Sequence, residues 1–120
     1  MKLGVFTVLL SAKSLEESLA YLKESGVQAV ELGAGGYPGK AHVNPDELLG
    51  DSSAISKLKE LIKKYDMEIS ALSCHGNPVH PQKELADKFH EDFEKTVLLA
   101  EKLGVGRVCG FSGCPGDSPN

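Results

Sequence analysis

Apolar side chains recur at helical spacing in three stretches of the chain. Leu15, Leu19 and Leu22 line one face of residues 15–24, and Ile55, Leu58 and Ile62 line one face of 54–65. Phe89, Phe93, Val97 and Ala100 do the same within 83–103, the longest stretch. Such stripes predict amphipathic helices with one face packed on a core. The local start and stop signals agree. Ser14 and Glu17 form an S-x-x-E capping box ahead of the first helix, and Asp51, Ser52 and Ser53 are N-cap candidates for the second. Gly26 and Gly104 supply left-handed stops after the first and third.

Four shorter apolar runs, 3–10, 29–32, 69–73 and 107–110, are bounded by turn residues and read as strands. Their strict alternation with the helices predicts βαβ crossovers and a parallel sheet covered by helices. Gly26 precedes Val30, Asp66 precedes Ser70 and Gly104 precedes Val108 at one common offset. These turn residues lie 40 and 38 apart. That period suits one βα unit of a (β/α)8 barrel, whose eight units need roughly 250 residues or more. The expected fold is therefore α/β. It is the N-terminal half of a TIM barrel, one domain over 1–120, with three full βα units and a fourth strand, cut off before a fourth helix. A flavodoxin-like sandwich competes. Sequential strand order 1-2-3-4 belongs to the half-barrel and 2-1-3-4 to the sandwich.

Composition narrows the function classes. Of 120 residues, 41% are hydrophobic, enough for a real core, and the formal charge is −4 with acids and bases interspersed. No basic face is built, so nucleic acid is not an expected partner. No apolar run approaches the ~20 residues of a membrane span, so no membrane partner is expected either. Three cysteines, Cys74, Cys109 and Cys114, make an odd set that argues against a disulfide framework and fits a cytoplasmic protein.

The helix-to-strand turns are tight, whereas the strand-to-helix loops are long: 33–53, 74–82 and 111 onward. Ligands of parallel α/β folds sit on such loops at the carboxyl ends of strands. The glycines of 33–39 do not make a dinucleotide fingerprint, because Pro38 takes the place of the last glycine and no helix opens at once. They suit a backbone folding closely over a barrel mouth. His75 follows the third strand directly, in S-C-H-G-N-P-V-H-P, where an imidazole can ligate a metal, bond a hydroxyl or move a proton. His80, five residues on, is a second candidate. Glu31 lies in an apolar strand and either faces a wet mouth or makes an outward ion pair. Ser112, in Phe-Ser-Gly after the fourth strand, suits contacts to hydroxyl or phosphate groups. Cys109 and Cys114 lack the spacing of a structural zinc site. Asp87, Glu91, Asp92 and Glu94 read as the solvated face of the third helix.

The segments AVELGAGGYPGKAHVNPDELL, EISALSCHGNPVHP and LLAEKLGVGRVCGFSGCPG resemble the sugar phosphate isomerase/epimerase proteins of the xylose-isomerase-like barrel superfamily, across essentially the whole chain. The resemblance implies a divalent metal, manganese, magnesium, cobalt or zinc, and metal-assisted proton transfer beside a carbonyl of a sugar or sugar phosphate. The family's Glu, Asp, His and Glu cluster belongs to the second half of the barrel and has no counterpart here. His75 falls where endonuclease IV-like relatives place a zinc-ligating histidine. The residues assigned to the substrate from their own positions are His75, Glu31, Ser112 and His80, and the resemblance adds His75 as a metal ligand. The chain alone is expected to be inactive and to self-associate as a homo-oligomer through its exposed half-barrel edges. A non-catalytic sugar-binding or interaction domain with the flavodoxin-like fold is the alternative.

Overall fold

The computed structural model describes residues 1–116. Four parallel strands, β1 (Gly4–Phe6), β2 (Ala29–Gly36), β3 (Glu68–His75) and β4 (Val108–Cys109), lie in the order β1-β2-β3-β4. Val5 pairs with Val30, Leu32 with Leu72, and Leu72 in turn with Val108. Sequential parallel order is that of half a TIM barrel and excludes the flavodoxin-like sandwich.

Helices α1 (Leu15–Glu24), α2 (Pro45–Leu48), α3 (Ser52–Lys64) and α4 (Lys83–Leu103) make the connections. The α1 capping box forms as the sequence indicates: the Glu17 amide donates to Ser14 Oγ at 3.2 Å and the Ser14 amide to Glu17 Oε2 at 2.8 Å. The Ala54 amide donates to Asp51 Oδ1 at 3.0 Å to start α3, and Gly104, at φ +72°, ends α4. Leu19, Val30, Leu32, Leu72 and Leu99 are fully buried in one core between helices and sheet. Each such side chain stabilises the fold by about 1.5–3 kcal/mol.

The structure departs from the sequence reading in four places. β1 stops at Phe6, and Thr7–Leu10 turns into a 3₁₀ helix. The His42 imidazole accounts for the turn: its Nδ1 lies 2.9 Å from Thr7 Oγ1 and its Nε2 2.9 Å from the Lys13 carbonyl, anchoring the chain off the sheet. β2 runs on through the glycines to Gly36, with a register shift between Gly33 and Gly35. The 33–53 connection holds the short helix α2, begun by Asn44, whose side chain accepts from the Asp46 amide, and by Pro45. Finally, α4 buries Asp92, Thr96, Leu99, Ala100 and Leu103, while Phe93 and Val97 stay exposed. Asp92 is therefore not on the solvated face, because Lys40 reaches it from the β2–α2 connection and neutralises it under the loop.

Candidate functional site

Successive residues of a strand point to opposite faces. Val30 and Leu32 enter the helix-side core, so Glu31 between them faces the open, inner side of the sheet. There its carboxylate accepts a hydrogen bond from the hydroxyl of Ser73, a fully buried residue of β3. Among the described residues Glu31 makes no ion pair, which removes the outward salt-bridge reading.

His75, two residues beyond Ser73 on the same side, ends β3. It pairs with Gly36 of β2, and the Tyr37 amide donates to its carbonyl at 2.7 Å. Gly36 has φ +67°, and a Cβ there would lie 2.2 Å from the His75 carbonyl oxygen, so only glycine fits. Gly76, the residue after His75, is also closely approached, since a Cβ would sit 2.4 Å from the Phe89 ring, a side chain that would have to shift. The imidazole is flanked by Phe111, with centroids 4.4 Å apart at 31°, and by Phe6 edge-on at 6.3 Å and 71°. Its Nδ1 is buried without a hydrogen-bond partner. Leaving a polar atom in that state costs about 1–3 kcal/mol. Such a group calls for a physical explanation, and a bound ligand, water or ion is one that supplies the missing partner.

Of the other anticipated residues, Ser112 is exposed on an open pocket of about 510 Å³ that Tyr37, Asn77 and Phe111 also line. His80 is not brought to that pocket's wall; its Nδ1 accepts from the Gln82 amide at 3.0 Å and shapes the turn into α4. A second, mainly apolar cavity of about 260 Å³ lies beside it, lined by Cys74, Pro78, Phe89, Phe93 and Phe111 among others.

Sequence reasoning missed three residues here. Asn77 locks the loop after β3 to the segment after β4: its Nδ2 donates to the Cys114 carbonyl at 2.7 Å and its Oδ1 accepts from the Cys114 amide at 2.9 Å. His42 anchors the chain after β1, as above. Lys40 donates to Asp92 at 2.8 Å and to Asp46 at 2.7 Å. Burial pulls the Lys40 ammonium down, but the two carboxylates outweigh it and its pKa is raised. Lys40 and Lys95, hydrogen-bonded to Asp46, hold that carboxyl down at about 2. Burial pushes the Cys74 thiol up, only partly offset by a hydrogen bond with Thr96. The G-K-x-H-x-N-P-D spacing after β2 was the available signal for Lys40 and His42, but their partners are remote in sequence.

For a metal, the free nitrogen of His75 is one suitable donor. Among the described residues no three His, Cys, Asp or Glu side chains converge to hold an ion. This part of the molecule therefore fits a share of a ligand set, not a whole one.

Parallel strands in sequential order, with His75 at the carboxyl end of β3 and Ser112 just beyond β4, define half of a (β/α)8 barrel with a candidate site at its mouth. The chain belongs to the xylose isomerase-like TIM barrel family, whose model matches residues 19–120. It is 34% identical over 120 residues to the uncharacterized protein YfiH of Bacillus subtilis, covering 100% of this chain and 38% of that protein. Its fold matches the crystal structure of the probable 3-DHS dehydratase AsbF, involved in petrobactin synthesis, from Bacillus anthracis. That match has a TM-score of 0.64 and 18% identity, over 94% of this chain and 39% of the other. The chain thus spans about two fifths of the length of these relatives. No helix among the described residues is long and apolar enough to cross a membrane.

Proposed function

We propose that this chain is the N-terminal half of a barrel that isomerises or epimerises a sugar or sugar phosphate by proton transfer beside a carbonyl. The observation that carries the reading is the His75 imidazole, its Nδ1 buried and unpartnered, at the carboxyl end of β3. Glu31, fixed by Ser73 on the same side of the sheet, supplies a carboxylate for substrate hydroxyls. Ser112 and the open pocket it lines receive the remainder of the sugar. His80, whose Nδ1 accepts from the Gln82 amide in the turn into α4, is given no substrate contact in this reading. A divalent cation, manganese, magnesium, cobalt or zinc, would polarise the carbonyl when bound. His75 would be one of its ligands, with the rest from outside the described residues.

The test uses the chain labelled at histidine with nitrogen-15. Cobalt(II) is titrated first, then fructose and fructose 6-phosphate. The His75 ring resonances are expected to respond, and the responses to vanish in His75→Ala. Silent His75 resonances with every probe would refute the reading. The chain alone, assayed with ketoses and manganese or cobalt, is expected to show no robust turnover. A rate in the usual enzyme range of roughly 1–1000 per second would overturn that part.

A further inference from the structure

We propose that Lys40 and Asp92 are positioning residues that set the geometry of His75 through the connection after β2; the functional weight of this rests on the reading of His75 above. Asp92 lies mid-way along α4 and is 8% exposed. A carboxylate in that position is strongly unfavourable unless paired, and even a paired one seldom outperforms an apolar side chain of its size. Packing alone is therefore a poor reason for the pair. What the pair does is join three elements at one point. Lys40 Nζ reaches Asp92 of α4 at 2.8 Å and Asp46 of α2 at 2.7 Å. The end of β2 passes close to the same side chain: a Cβ at Gly35 would be 3.3 Å from Asp92 Cβ and 3.1 Å from Cys74 Sγ.

The path from this strut to His75 is short. Tyr37, three residues before Lys40, donates its amide to the His75 carbonyl at 2.7 Å, and its ring packs on Phe89 of α4 with centroids 5.3 Å apart. Gly36, four residues before Lys40, fits against the same carbonyl. With Lys40 tied to α4, the Gly36–Tyr37 peptide has one place to sit, and the end of β3 has one direction. The neighbouring Lys95–Asp46 pair is half exposed and solvent-screened, so it contributes little to this constraint.

The test compares Lys40→Met, Lys40→Arg, Asp92→Asn, Lys95→Met and the double variant Lys40→Met with Asp92→Leu. Amide exchange is read at Tyr37 and at Leu58 in α3, together with the His75 ring resonances. In Lys40→Met and Asp92→Asn the Tyr37 amide is expected to exchange at least ten-fold faster than in the parent chain, beyond any change at Leu58, and the His75 ring to shift. Lys40→Arg restores both, and Lys95→Met alters neither. The double variant recovers the melting temperature but not Tyr37 protection. Tyr37 and Leu58 accelerating in equal proportion, or the double variant recovering Tyr37 as well, would show a merely structural pair and overturn the proposal. If Lys40→Met does not fold, Asp92→Asn against Lys40→Arg gives the same decision. None of these readouts contains a ligand, so a failure of the cobalt and ketose titrations is separable from a failure here.

Discussion

Replacing Gly36 with alanine probes the joint between β2 and His75 most directly. Gly36 has φ +67°, and a Cβ would meet the His75 carbonyl oxygen at 2.2 Å and the carbonyl carbon at 2.6 Å. Backbone atoms cannot step aside as a side-chain tip can, so the strands must part locally. Gly39 is the internal control: its φ is +75°, but nothing lies within 4 Å of its built Cβ. Both substitutions incur the left-handed backbone penalty of about 1–2 kcal/mol. Gly36→Ala also disrupts the Tyr37–His75 hydrogen bond, adding about 1 kcal/mol. We expect a loss of about 2–3 kcal/mol for Gly36→Ala and about 1–2 kcal/mol for Gly39→Ala. Urea unfolding at one fixed protein concentration measures both, with the midpoint falling and the slope unchanged. A Gly36→Ala loss no larger than that of Gly39→Ala would refute the argument that the close approach, and not the dihedral angle, makes this glycine obligatory.

Asp46 should confer acid sensitivity. Its carboxyl is depressed from 3.8 to about 2, so its contribution is complete above pH 3.8 and lost as pH falls through about 2. The side chain is 45% exposed, and screening limits the effect to below about 1 kcal/mol; the melting gap between the parent chain and Asp46→Asn should therefore close between pH 4 and 2, and a constant gap would contradict the ion pairing. Thiol labelling of the native chain should be fast at exposed Cys114 and very slow at buried Cys74; equal rates at the two would contradict the packing of β3 under α4. We also propose that the chain on its own self-associates, because Leu3, Leu9, Val97, Leu98 and Phe111 are exposed. Light scattering across a dilution series should show mass falling with concentration, and a constant monomer mass with a cooperative melt would refute it.

The parts of this protein written in short-range patterns were legible from the chain alone. The α1 capping box, the Gly104 stop and the βαβ alternation each depend on residues within a few positions of one another, and each forms as read. His75 at the end of β3 was legible for the same reason, as a polar residue closing an apolar run. The buried state of Asp92 was not, because the cation that makes it tolerable is Lys40, on the far side of two helices and a β-strand in the sequence. The early end of β1 depends on His42 meeting Thr7, and the strand character of the glycines 33–36 depends on β3 lying alongside them. The exposure of Phe93 and Val97 follows from which flank of α4 meets the sheet, and helical periodicity cannot choose between an apolar stripe and an adjacent one containing Asp92 and Thr96. Local propensity and periodicity set the elements, while pairings between distant residues, which alone can neutralise a buried charge or turn a strand, decided where they stop and which faces they hide.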